Sequence, residues 1–175
     1  SEKMAVLTSD DLTITTFEGN LIDFEIERIN WDPISAVKGN YRHFMQKEIH
    51  EQVRSTTDTL AGRIDFKNEN VLLPRLNTNE KFIRDIESIK IVACGTASNA
   101  GLVGKYLIEA IAKIPVEVDI ASEFRYRDPI IQPNTVVLVI SQSGETADTL
   151  AAMEEAKQKG ATVWSIVNAI GSQAM

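Results

Sequence analysis

The stretch TVVLVISQSGETADT, residues 135–149, predicts how this chain folds. It opens with the continuous apolar run VVLVI, residues 136–140. Such a run is typical of a strand buried on both faces of a parallel sheet. A small, hydroxyl-rich loop follows and leads into residues 147–159, whose composition favours a helix. The stretch therefore predicts a loop at the carboxyl end of a strand, where open α/β sheets bind their ligands.

The loop SQSGET, residues 141–146, has the features of an anion-binding site. The first turn of the following helix offers free N–H groups, and Gly144 allows the backbone to approach a ligand closely. The hydroxyl and amide donors of the loop are Ser141, Gln142, Ser143 and Thr146. Because the loop contains no lysine or arginine, its neutral donors suit a sugar phosphate better than a triphosphate. A purely structural interpretation stays open, in which Ser143 or Thr146 caps the helix and Glu145 complements its dipole.

A second loop of the same kind, CGTASN at residues 94–99, follows a predicted strand at residues 89–93. Two such loops at the carboxyl ends of neighbouring parallel strands face one crevice, so we expect both at a single ligand site. The glycine spacing matches neither G-x-G-x-x-G nor a P-loop, which disfavours dinucleotides and nucleoside triphosphates. Cys94 has no histidine near it in sequence, so we expect a small buried residue rather than a nucleophile.

Strands and helices alternate from residue 89 onward. Strands are predicted at 89–93, 116–120, 136–140 and 162–167, with helices at 97–112 and 147–159 and a short helix or turn at 121–127. This alternation predicts an α/β fold, a parallel sheet flanked by helices on both faces. We expect a short helix at 79–86 to turn Phe82, Ile83 and Ile86 inward. On the helix at 97–112 the side chains expected to pack are Leu102, Tyr106, Ile108 and Ala110.

The first 30 residues have a different pattern, a short β meander. Its three predicted strands are residues 4–7, 12–17 and 21–26. Three short strands are marginal on their own, so we expect them to belong to a larger sheet. Residues 31–40 predict a linker, residues 41–61 a helix that Gly62 ends, and residues 65–74 irregular structure.

Composition limits the possible functions of this chain. The 175 residues are 43% hydrophobic and carry a formal net charge of -7, which argues against nonspecific nucleic-acid binding. A single cysteine favours a reducing compartment, and no apolar run approaches the ~20 residues of a membrane span. His43 and His50, the two histidines, lie about 10 Å apart on the predicted helix. That separation is too large for one metal ion, so we expect no metal site. No cofactor is expected either.

Four segments resemble one family, the glutamine–fructose-6-phosphate aminotransferases, also called glucosamine-6-phosphate synthases. The segments are YRHFMQKEIHEQ (41–52), ACGTASNAG (93–101), IASEFRYRDP (120–129) and SQSGETADTL (141–150). The resemblance implies that residues 41–175 form a truncated first sugar-isomerase (SIS) subdomain of the flavodoxin-like, three-layer type. It also implies that residues 1–30 are the last strands of a truncated glutaminase domain, with 31–40 as the linker.

The family converts fructose 6-phosphate and glutamine to glucosamine 6-phosphate and glutamate. The resemblance implies a phosphate site at Ser141, Gln142, Ser143 and Thr146, with Thr96 near the sugar. Ala97 stands where the family usually has a serine, which removes one phosphate donor, and Ser98 is a candidate substitute. The family's catalytic cysteine, base, histidine and lysine would lie outside residues 1–175, so no catalytic residue is assigned and the chain alone is expected to be inactive.

The resemblance also implies a cytoplasmic homodimer that lacks its glutaminase domain and second SIS subdomain, with a sugar phosphate as ligand and neither nucleic acid nor membrane as partner. The alternative function is a non-enzymatic phosphosugar-sensing SIS module. The β meander and the YRHFMQKEIHEQ segment favour the enzyme, whereas a DNA-binding helix pair, which the sequence does not predict, would favour the sensor.

Overall fold

The computed structural model describes residues 3–25, 37–73, 76 and 79–175. The chain divides into two compact units, Ser1–Val71 and Leu72–Met175. The elements of the first unit are β1 (Lys3–Leu7), β2 (Leu12–Thr16), α1 (Phe44–Leu60), β3 (Ile64–Asp65) and β4 (Asn70–Val71). Those of the second are α2 (Glu80–Arg84), β5 (Ser88–Ala93), α3 (Thr96–Ile111), β6 (Val116–Ile120), α4 (Ala121–Phe124), β7 (Thr135–Ser141), α5 (Ala147–Gln158) and β8 (Thr162–Val167).

The first unit contains two of the three predicted meander strands. β1 and β2 form an antiparallel hairpin, as the alternating pattern predicts. The third predicted strand, 21–26, is wrong over residues 21–25, and Ile26 lies outside the described residues. Leu21 makes only an isolated bridge to Thr15, so the chain leaves β2 before a ladder can form. The segment 65–74, predicted as irregular, contains the small hairpin β3–β4 instead.

The helix predicted at residues 41–61 is present in the first unit but begins later than expected. α1 starts at Phe44 and ends near Gly62, whose φ of +71° is the left-handed conformation typical of a helix end. His43 and His50 are both exposed, and His50 stacks on Tyr41 with 5.5 Å between the ring centroids. Most of the predicted linker, residues 31–36, lies outside the described residues.

The second unit is a four-stranded parallel sheet with helices on both faces, as predicted. Its strand order is β6-β5-β7-β8, and every pairing is parallel. Side chains alternate across each strand, so the two faces support separate cores. One core joins α2 and α3 to the sheet around Ile91 and Val136, and the other joins α4 and α5 around Phe124 and Val139. All four of these residues are 0% exposed.

Three predicted packing positions on α3 are wrong. Leu102, Tyr106 and Ala110 are exposed, whereas Ile108 packs against the core as expected. The side of α3 that meets the sheet carries Gly101, which lies against Ile91. Because glycine has no side chain, the helix can approach the strand closely there. Phe82 in α2 and Ile86, which follows the end of α2 at Arg84, pack as predicted, but Ile83 is 51% exposed.

Charged side chains line β6, a strand at the edge of the sheet. Glu117 bonds Lys90 of the neighbouring strand and also Arg127, whose guanidinium nitrogen is 2.8 Å from its carboxylate. The hydrogen bonds from Lys90 and then Arg127 hold the pKa of Glu117 below its usual range. These ion pairs leave β6 with a charged border, which disfavours pairing with a further strand.

Candidate functional site

The two predicted loops leave neighbouring strands at the point where the strand order reverses. β5 leads through α3 to β6 on one side, and β7 leads through α5 to β8 on the other. β5 and β7 pair directly, with Ala93 opposite Ile140 at their carboxyl ends. This arrangement confirms that both loops lie at one switch point of the sheet, the position where ligands bind in open α/β folds.

The serine loop, residues 141–146, holds its shape through its own hydroxyl groups. The backbone N–H of Gly144 donates to Ser141 Oγ at 3.0 Å, and that of Glu145 donates to Ser143 Oγ at 3.2 Å. Ser141 is buried and Ser143 half-buried. Each hydroxyl accepts in these bonds and therefore keeps its own proton, and that of Ser143 is nearer to solvent.

The N-terminus of α5 opens onto this loop without a side-chain cap. Thr146 is the N-cap residue, but its hydroxyl makes no capping bond. Ser143 bonds the N–H of Glu145, which precedes the helix. The predicted capping role is therefore wrong for both side chains in this structure. The N–H groups of the first turn remain available to an anion, and Gln142 and Thr146 are exposed beside them.

The second loop has the same architecture on β5. Gly95 is the N-cap of α3 and makes no side-chain cap; its φ of 57° and ψ of -137° suit only glycine. Thr96 is exposed in the first turn of α3. Ser98 donates its hydroxyl proton to the carbonyl of Gly95 at 2.6 Å, so this proton stabilises the turn. Two helix N-termini without side-chain caps thus lie at the ends of adjacent strands.

Cys94, the last residue before that turn, is half-buried rather than buried. The hydroxyl of Thr149 donates to its sulfur at 3.9 Å. Within the described residues, no group of three histidine, cysteine, aspartate or glutamate side chains could hold a metal ion. The donors described at the switch point are hydroxyl, amide and backbone N–H groups.

One carboxylate lies in the serine loop and another just after it, and each has a donor from elsewhere in the chain. Asp148, in the first turn of α5, pairs with Arg125 at 2.8 Å. Glu145 accepts from the backbone and the side-chain amide of Gln173, at 2.8 and 2.7 Å. Neither Arg125 nor Gln173 is among the site residues predicted from the sequence. Arg125 lies inside the segment IASEFRYRDP, but no local pattern distinguishes Gln173, because it meets Glu145 only in the folded chain.

A groove of about 550 Å³ lies at the other end of the sheet. Its walls include Ser88, Val116 and Thr135, the first residues of β5, β6 and β7. Two lysines line it: Lys105 donates to the carbonyl of Val116 at 2.8 Å, and Lys90 pairs with Glu117. Because its walls include the first residues of three strands, the groove lies at the opposite end of the sheet from the switch point. No helix in the described parts of the chain is long and apolar enough to cross a membrane.

Residues 82–174 match the model of the SIS domain family. This match covers more than half of the sequence, so the chain belongs to the SIS domain family. The four-stranded parallel sheet and the serine loop at its switch point are the features of this class that the structure displays.

The chain is similar to curated relatives that share one enzyme name. The chain is 52% identical over 171 residues to glutamine–fructose-6-phosphate aminotransferase (isomerizing) of Clostridium acetobutylicum, and 48% identical over 169 residues to that of Symbiobacterium thermophilum. These alignments cover 98% and 97% of the chain but 28% of each relative. The resemblance seen in the four sequence segments is therefore confirmed.

A solved structure gives the same result. The chain is 37% identical, with a TM-score of 0.69, to the C-terminal domain of glucosamine-fructose-6-phosphate aminotransferase from Francisella tularensis. The alignment covers 79% of this chain and 38% of that one. The SIS-type fold predicted from the sequence is thus confirmed by both the sheet topology and a structural neighbour.

Proposed function

We propose that this chain is part of a glutamine–fructose-6-phosphate aminotransferase and supplies its site for the phosphate of fructose 6-phosphate. The intact protein would convert fructose 6-phosphate and glutamine to glucosamine 6-phosphate and glutamate. The observation that carries this proposal is the pair of helix N-termini without side-chain caps, α3 and α5, at adjacent strand ends. Such termini attract phosphate through their N–H groups and dipoles.

Each residue of the proposed site has its own role. The hydroxyls of Ser143 and Thr146 and the amide of Gln142 donate to phosphate oxygens. Ser141 is buried and shapes the loop by accepting from Gly144. Thr96, exposed on the neighbouring loop, lies on the side of the sugar. Holding the phosphate in this way positions the sugar for chemistry by residues elsewhere in the intact protein.

The domain organisation belongs to the same proposal. Residues 1–30 are the end of a glutaminase domain, 31–40 are the linker, and 41–175 belong to the first SIS subdomain. The intact protein would be a cytoplasmic homodimer with a glutaminase domain and a second SIS subdomain. The alternative, a phosphosugar-sensing module, shares the serine loop. The 52% identity to an aminotransferase over 98% of the chain favours the enzyme.

We expect Ser143→Ala to weaken the binding of fructose 6-phosphate about tenfold or more, because a hydrogen bond to a charged oxygen is lost. Isothermal titration calorimetry of the 175-residue chain measures this change. Ser55→Ala is the matched control, since Ser55 is an exposed serine whose hydroxyl donates to the nearby carbonyl of Gln52 at 3.3 Å. Equal affinity of the two variants would contradict the assigned loop.

A further inference from the structure

The segment after β8, residues 168–175, runs along the serine loop. The backbone N–H of Ala169 donates to the carbonyl of Gln142 at 3.1 Å, and that of Ala174 donates to the carbonyl of Gly144 at 3.2 Å. Ala174 is 1% exposed and packs in the core on the α5 side of the sheet. This segment, called the strap below, therefore anchors the loop to the core of the unit.

Side chains of the strap contact the loop at two further points. Ser172 lies against Gly144, so closely that a Cβ atom on Gly144 would be 2.1 Å from Ser172 Oγ. Gln173 donates to both carboxylate oxygens of Glu145, from its backbone N–H at 2.8 Å and its side-chain amide at 2.7 Å. The Glu145 carboxylate is thereby fixed on the strap by two bonds.

The position of this carboxylate matters because Glu145 lies between the two hydroxyl residues assigned to the phosphate, Ser143 and Thr146. A sugar phosphate is an anion, so a carboxylate free to turn toward it would repel it. Glu145 also precedes the first turn of α5, where its charge would compete with the phosphate for the same N–H groups. When Gln173 holds the carboxylate on the strap, both the repulsion of the phosphate and the competition for the N–H groups are removed.

We propose that Gln173 is a positioning residue for the phosphate site: it holds the Glu145 carboxylate on the strap and away from the bound phosphate. This inference depends on the proposed function of the serine loop. It adds a residue, Gln173, that keeps the Glu145 carboxylate from repelling the phosphate. Gln173 makes no contact with the phosphate in this account and acts only through Glu145.

Three variants of the 175-residue chain test this role, with fructose 6-phosphate and inorganic phosphate as probes in calorimetry. Gln173→Ala is expected to weaken binding about fivefold or more, because the carboxylate is released. The double variant Glu145→Gln with Gln173→Ala is expected to regain most of that loss, because the released side chain is then neutral. Gln158→Ala is the control, since Gln158 also bonds a glutamate, Glu154, at 3.2 Å, but near the end of α5.

The outcomes separate this inference from the proposed function. If the wild-type chain binds a probe and Gln173→Ala binds it equally well, Gln173 has no positioning role. If the double variant binds as weakly as Gln173→Ala, the residue is merely structural and the inference is wrong. If the wild-type chain binds neither probe, the proposed function fails. In that case, hydrogen exchange at the Gly144 amide tests whether Gln173 holds the loop to the strap. If this amide exchanges no faster in Gln173→Ala than in Gln158→Ala, the inference about Gln173 is wrong.

Discussion

Replacing Gly144 with alanine is expected to abolish measurable binding of fructose 6-phosphate and to lower the free energy of unfolding by roughly 2–5 kcal/mol. Gly144 has a φ of +67°, which strains any residue with a side chain. An added Cβ would also lie 2.6 Å from Ser172 Cβ and 2.8 Å from Val167 Cγ1. The Cβ atom of Ser172 is fixed to its own backbone and cannot move away by side-chain rotation, so the serine loop must leave its position.

The loss of stability at Gly144 has two causes, backbone strain and steric overlap, and Gly160→Ala separates them. Gly160 has a φ of +81°, but nothing lies within 4 Å of the Cβ that alanine would add. Only the backbone strain of about 1–2 kcal/mol is therefore expected at Gly160, with phosphate binding unchanged. Urea denaturation and calorimetry on both variants measure the comparison. Equal losses of stability, or a Gly144→Ala variant that binds as wild type, would contradict the described packing of the loop.

Gly101→Ala and Gly104→Ala are expected to change stability in opposite directions, although both glycines lie in α3. A Cβ on Gly101 would be 2.9 Å from Ile91 Cγ2, an atom of a residue with 0% exposure. Overpacking of this kind costs about 1–3 kcal/mol. A Cβ on Gly104 would be 3.6 Å from Ile91 Cδ1, an ordinary contact, so the higher helix propensity of alanine should add up to about 1 kcal/mol.

The pair is informative because each variant serves as the control of the other. Both substitutions add one methyl group to the same helix, three residues apart, so helix propensity raises stability equally in both. Thermal unfolding followed by circular dichroism measures the difference. If both variants shift the melting temperature in the same direction, α3 does not rest on β5 through Gly101.

The alternating part of the chain could be predicted from sequence because its strands carry a strong signal. Strands β6 and β8 have the predicted bounds, since both are rich in β-branched residues. The faces of α3 could not be predicted in the same way. That helix has apolar residues on its outward side as well, among them Leu102 and Tyr106, and the sheet contact goes through glycine. Hydrophobic periodicity gives no signal for a face built from glycine.

The site was predictable in part for a related physical reason. Each loop contributes a glycine and hydroxyl residues directly after a buried strand, and that local pattern is visible in the sequence. The donors that hold the neighbouring carboxylates are not local. Gln173 is 28 residues from Glu145, and Arg125 is 23 residues from Asp148. Only the folded chain brings these pairs together, so sequence spacing could not reveal them.

The central claim is that an anion binds at the switch point between β5 and β7. Backbone amide chemical shifts of the labelled 175-residue chain, recorded while fructose 6-phosphate is added, test it most directly. We predict that the largest shifts fall on residues 142–147 and 96–98, the two loops and the first turns of their helices. Shifts confined to the groove beside Ser88, Lys105 and Thr135, at the opposite end of the sheet, would contradict the claim, as would no shifts at all.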